Sequence, residues 1–182
     1  MIEVTAVPAA SVILMRGEPF EVLMIRRHEK ASFVPNAWVF PGGAVDPSDA
    51  RPEPLDTMRA AAARELFEET GISTEAEQLV WTSRWITPAG LPKRFDTYFF
   101  LGRAGAGAAA VLNQQEAVDF VWITPADALA RLEPVFPVQK NLEAIAGFTS
   151  MDALIASRQG VEVTPVQPIM IVEGGQRRFI LP

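Results

Sequence analysis

The stretch Phe40–Ile72, FPGGAVDPSDARPEPLDTMRAAAARELFEETGI, sets glycines and prolines at one end against three glutamates at the other. Its second half predicts a helix over Leu55–Thr70. Pro54 suits a first turn, Met58, Ala61, Ala62 and Leu66 make an apolar stripe, and Gly71 is a natural C-cap. Glu65, Glu68 and Glu69 stand at i, i+3 and i+4 and share one helical face. A helix C-terminus already carries partial negative charge, and Glu65 and Glu69 repel each other one turn apart. An acidic run is most often only a solvated face. If this one is not, it needs a compensating cation.

Outward from this helix, the chain alternates strand-like and helix-like pieces. Ala9–Met15 and Glu21–Arg26 are apolar, β-branched runs around a turn containing Gly17 and Pro19, which predicts a hairpin. Trp38–Phe40 ends at Pro41-Gly42-Gly43, where the backbone can approach a ligand closely. A proline-rich loop, Ala44–Pro54, leads into the helix. Leu79–Ile86, Thr97–Leu101 and Phe120–Ile123 read as strands. Pro125–Leu132, Val138–Ala146 and Met151–Ser157 read as helices, and Pro165–Ile171 and Arg178–Leu181 as strand pieces about Gly174-Gly175. The run Gly105–Ala110, GAGAAA, reads as a loop. No repeat or long linker divides the 182 residues, so one domain over 1–182 is expected.

Composition narrows the partners. A net charge of −6 argues against nucleic acid or an anionic membrane surface. No apolar run reaches transmembrane length, and the first residues make a poor signal peptide, so a cytoplasmic protein is expected. Without cysteine there is no disulfide, thiolate metal site or cysteine nucleophile, and metal ligands must be oxygens or the single His28. His28, beside two arginines, reads as a loop residue. Three carboxylates on one face suit a hard cation such as Mg²⁺ or Mn²⁺.

The run Arg64-Glu65-Leu66-Phe67-Glu68-Glu69-Thr70-Gly71-Ile72 matches R-E-U-x-E-E-x-G-U, with U a bulky aliphatic. Here the sequence resembles the Nudix hydrolase family, whose box is G-x5-E-x7-R-E-U-x-E-E-x-G-U. Counting back from Arg64 places the box glutamate at Asp56 and the box glycine at Ala50. Gly43 is therefore read as the glycine, with seven extra residues in the loop before Asp56.

The resemblance implies an α/β fold, an α/β/α sandwich with a mixed sheet, and hydrolysis of a phosphoanhydride in a nucleoside diphosphate linked to another group. It implies Mg²⁺ or Mn²⁺ held by Glu65 and Glu69, with Glu68 sharing the metal or pairing with Arg64, and the Gly42 carbonyl completing the shell. Arg64 would orient Glu68. Glu116, before a late strand, is the further acid the family draws from a loop, although a plain loop residue is an equal reading; Asp119 is its weaker competitor. Which carboxylate is the general base stays open.

Arg26–Gly43 (RRHEKASFVPNAWVFPGG) and Ile86–Leu101 (ITPAGLPKRFDTYFFL) are similar to the Nudix branch that includes a peroxisomal coenzyme A diphosphatase. The C-terminal Ile180-Leu181-Pro182 is not a peroxisomal address. Coenzyme A carries a 3′-phosphate, for which Arg94, Lys93, Arg26 and Arg27 are candidate contacts; the plain reading of each is a surface or ion-paired cation. Trp85 or Phe95 could stack on adenine or belong to the core. The competing substrates are ADP-ribose, a dinucleotide or a nucleoside triphosphate, and a nucleotide-metabolite sensor without turnover is the non-enzymatic alternative. Nudix enzymes are commonly homodimers, and no heptad marks an interface here.

Overall fold

The computed structural model describes residues 4–31 and 33–182. Ten strands and four helices follow one another as β1 Val7–Arg16, β2 Glu21–Arg27, β3 Trp38–Val39, β4 Gly42–Ala44, α1 Pro54–Thr70, β5 Val80–Ile86, β6 Phe95–Arg103, β7 Ala117–Ile123, α2 Pro125–Arg131, α3 Phe136–Ile145, α4 Met151–Arg158, β8 Pro165–Val166, β9 Ile169–Glu173 and β10 Gln176–Ile180. Eight strands form one mixed sheet along the path β3-β2-β1-β6-β5-β8, with β4 paired to β1 and β7 to β2. The β1–β6 and β5–β8 pairs are parallel and the others antiparallel. β9 and β10 make a separate hairpin.

β1 shows why the sheet is covered on both faces. Its residues from Ala9 to Met15 are all buried, so both sets of alternating side chains need a layer over them. Ile13 and Met15 join a core with Ala128 of α2, Val138, Leu142 and Ile145 of α3, and Leu154 of α4. Ala10, Val12 and Leu14 face the opposite core, with Ala61, Ala62 and Leu66 of α1. That is the α/β/α sandwich.

α1 begins with Pro54 in its first turn and ends at Gly71, which adopts φ 69° and donates its N–H to the Phe67 carbonyl. Its buried face carries the apolar stripe and then Glu69 and Thr70, so the stripe drives the end of the helix, with its glutamate, into the interior. No helix among the described residues is long and apolar enough to cross a membrane.

Candidate active site

The last turn of α1 leaves carbonyls without intrahelical donors. Two are taken by a distant loop: Val111 N–H donates to Thr70 O at 2.8 Å and Asn113 N–H to Glu69 O at 3.0 Å. The loop then turns back, with the Glu116 N–H on Asn113 O and the His28 N–H on Glu116 O, both at 3.0 Å. These backbone bonds fix Glu116 over the helix end. Carboxylate oxygens of Glu65, Glu69 and Glu116 consequently lie within 4.8 Å of one another.

The three differ in environment. Glu69 is 4% exposed and accepts the Gly42 N–H on Oε2 at 2.8 Å. Burial pushes its carboxyl up to about 8 against the Gly42 hydrogen bond; Glu65 and Glu116 add to the rise, and Arg27 opposes it. Glu65 is raised as well, by burial first, against its hydrogen bond from Arg64. Glu116 is exposed. Gly43 lets the loop pass this close, since a Cβ there would lie 2.5 Å from Glu65 Oε2. A buried, proton-hungry carboxylate beside two others is a donor set of oxygens suited to a hard divalent cation. Gly42 meets it through its N–H to Glu69.

Glu68 lies outside this group and accepts from Arg64 Nη1 at 2.8 Å. Arg64 is the hub behind the carboxylates. It also donates to Glu65 Oε1 at 2.8 Å and to Ala44 O at 3.0 Å, and makes a two-pronged contact with Asp49, both bonds at 2.9 Å. Asp49 is 3% exposed; burial alone would raise its carboxyl, and the Arg64 hydrogen bonds hold it below the usual carboxylate range.

Asp49 corrects the spacing read from sequence. Asp56 does not reach this network: it pairs with Arg59 at 2.8 Å, one turn along α1, and is half-exposed. Gly43 and Asp49 are separated by five residues, the box interval, so the extra residues fall between Asp49 and Arg64. Asp49 ends a short 3₁₀ turn, Pro47–Asp49, in which Asp46 accepts the Ser48 N–H and Asp49 accepts the Asp46 N–H. The pattern Asp46-Pro47-Ser48-Asp49 is a capping signature, and it was the available signal.

A cavity of about 1010 Å³ opens from the carboxylates. Phe33, Phe95, Phe99 and Trp85 are among its walls, and Arg27, Lys30 and Lys93 bring positive charge to it. Of the four expected phosphate contacts, Arg27 and Lys93 line it. Arg26, the neighbouring residue on β2, instead stands beside Asp119 and the Trp38 ring. Asp119 is held there and on the Phe120 N–H, outside the carboxylate group. Arg94 is the second correction: it is 5% exposed, outside the cavity wall, and donates to the Thr87 carbonyl at 3.0 Å and the Val4 carbonyl at 2.8 Å. Its long arm ties the start of the chain to the β5–β6 connection. His28 accepts the Lys30 N–H on Nδ1, a loop role as expected.

Comparison with known proteins gives the family and the fold. The NUDIX domain family matches residues 5–143. A Caenorhabditis elegans protein that carries the name nudix hydrolase 7 is 34% identical over 156 residues, covering 66% of this chain and 52% of that one. An acyl-coenzyme A diphosphatase of Xenopus laevis is 25% identical over 205 residues, covering 60% and 54%. The chain thus spans about half the length of these curated relatives. A crystal structure of a NUDIX hydrolase from Alicyclobacillus acidocaldarius shares the fold, with TM-score 0.76 at 22% identity over 84% of this chain and 96% of that one. With the family matched over most of its length and the fold reproduced, the chain belongs to the NUDIX domain family of hydrolases.

Proposed function

We propose that this protein hydrolyses the phosphoanhydride of a nucleoside diphosphate derivative, with coenzyme A or an acyl-coenzyme A as substrate. The convergence of Glu65, Glu69 and Glu116 in the wall of a large, mainly apolar cavity carries this reading. Glu65, Glu69 and Glu116 would hold Mg²⁺ or Mn²⁺, which when bound offsets diphosphate charge and acidifies water. Arg27, Lys30 and Lys93 bind anionic groups of the substrate in a protein of net charge −6. Glu116, the exposed member of the trio, accepts the proton of the attacking water and exchanges it with solvent. Arg64, fixed by Asp49, positions Glu65 and keeps Glu68 as its own counter-ion.

The coenzyme A assignment is supported by the named activity of the Xenopus relative and by a cavity whose apolar walls suit a long organic arm. A homodimer accompanies this reading as the family expectation, checked by light scattering; a single domain over 1–182 and a cytoplasmic location rest on the sequence reading, checked by limited proteolysis and cell fractionation. The direct test is hydrolysis of coenzyme A, ADP-ribose, NADH and nucleoside triphosphates with Mg²⁺, Mn²⁺ or excess chelator, with products identified by mass. Coenzyme A cleavage that disappears in chelator supports the proposal; full activity in chelator overturns it.

A further inference from the structure

The family match ends at residue 143, yet part of the cavity wall comes from beyond it. β8 runs parallel to β5 with Val166 opposite Trp85, which brings the chain to the cavity edge, and Pro168, Arg177 and Phe179 line it. In the β9–β10 hairpin, Arg177 and Phe179 are two residues apart and so share a face. Phe179 lies 5.9 Å from the Phe136 ring, and Phe136 meets Trp85 edge-on at 6.1 Å. The three rings form one continuous aromatic wall.

Within this wall Trp85 is 8% exposed, and its indole Nε1–H has no acceptor among the described residues. The Nε1 atom itself has almost no accessible surface, so the indole meets the cavity with its ring and not with its N–H.

We infer that Trp85, Phe136 and the C-terminal hairpin form an aromatic subsite for the organic arm of the substrate. This rests on the reading that the cavity takes a nucleoside diphosphate derivative. The rings pack against the methylene and amide groups of the arm, and Arg177 places a charge on the same hairpin face as Phe179. Part of the arm's subsite then comes from a segment outside the family match, while Trp85, Phe136 and the carboxylates lie within it.

Calorimetric titrations in chelator, where no turnover is supported, with coenzyme A, 4′-phosphopantetheine and ADP test this. Phe136→Ala and Phe179→Ala each open the wall; the second, on the hairpin, serves if the first unfolds the protein. For coenzyme A and 4′-phosphopantetheine, each variant is expected to weaken binding roughly threefold to tenfold, the loss of one aromatic ring from the wall. ADP affinity should stay within about twofold. Equal weakening for ADP, unchanged affinities for every ligand, or no binding by the parent protein overturns the subsite. Metal-dependent cleavage of coenzyme A with unchanged 4′-phosphopantetheine binding in both variants would leave the proposed activity standing and remove the subsite alone. The expected arm-selective losses without any coenzyme A cleavage would do the reverse.

Discussion

Asp49 accepts two hydrogen bonds from the Arg64 guanidinium, both at 2.9 Å, while the Asp56 carboxylate pairs with Arg59 instead. The first pair joins a 3₁₀ turn in the loop to the helix that carries Glu65 and Glu69, so the loop is part of the site's support. Asp49→Asn leaves Arg64 with a weaker acceptor in a largely buried position. Discounted for the partial exposure of Arg64, the expected loss is about 2 kcal/mol, roughly 4–8 °C in Tm for a chain of this size. Turnover should fall with it as Glu65 loses its fixed neighbour. Asp56→Asn, at an exposed pair, should stay within about 0.5 kcal/mol. Equal effects of the two substitutions, read by thermal unfolding, would return Asp56 to the box position.

Glu69 makes metal-free stability depend on pH. Its folded-state pKa, raised to about 8 by burial, lies above the ordinary carboxylate value of 4.5. Between those values the folded protein binds a proton that the unfolded chain does not. This contribution is therefore complete below about 4.5 and is lost as pH rises through about 8. Metal must displace the proton, so its affinity should climb over the same interval. In chelator, Glu69→Gln should flatten the fall in Tm between pH 5 and 8.5, in roughly unit steps. The variant should also lose most of the metal-induced rise in Tm and about a hundredfold or more in turnover. An unchanged metal response would place the ion elsewhere.

The helix and the hairpin of β1 and β2 were legible in sequence because their signals are local: Pro54 and Gly71 bound α1, and a strand buried on both faces shows itself as a short continuous apolar run. The glutamate spacing on α1 was legible for the same reason. Three features were not. Counting backward from Arg64 assumes that no residues intervene, so it missed Asp49. The pairing of β1 with β6 joins residues some ninety positions apart and leaves no local mark. Arg94 sits in a polar, proline-flanked segment that reads as exposed, and only the fold brings the Val4 carbonyl to it. The position of Glu116 could be proposed from family analogy, but its physical cause, the capture of the α1 carbonyls by Val111 and Asn113, is tertiary.

Arg94 therefore calls for a different experiment from that for a phosphate ligand. Arg94→Ala removes the donors to the Thr87 and Val4 carbonyls from a buried position, at a cost of about 2–3 kcal/mol. Its activity at a temperature well below Tm should fall equally on coenzyme A and dephospho-coenzyme A. A selective loss on coenzyme A, with unfolding unchanged, would show that it reads the 3′-phosphate after all.

Arg27 and Arg26 are adjacent on β2 and offer the cleanest contrast in the site. Arg27 lines the cavity, and its charge opposes the upward shift of Glu69; Arg26 lies beside Asp119 and Trp38. Losing Arg27 should act twice. A charge-assisted contact to the substrate's phosphates is worth ~1.5–3 kcal/mol, so Arg27→Ala should lower kcat/KM by about tenfold to a hundredfold, chiefly through KM. Because Arg27 favours the ionised form of Glu69, its removal should also move the acid limb of the pH–activity profile upward and weaken metal binding most at low pH. Arg27→Lys, which keeps the charge and loses the fork, should restore the pH limb more fully than the KM. Arg26→Ala should change neither by more than about twofold, since its exposed pair with Asp119 at 4.0 Å contributes little. Matching losses in Arg26→Ala and Arg27→Ala would mean that β2 acts through its packing, and the cavity charge would then have to come from Lys30 and Lys93.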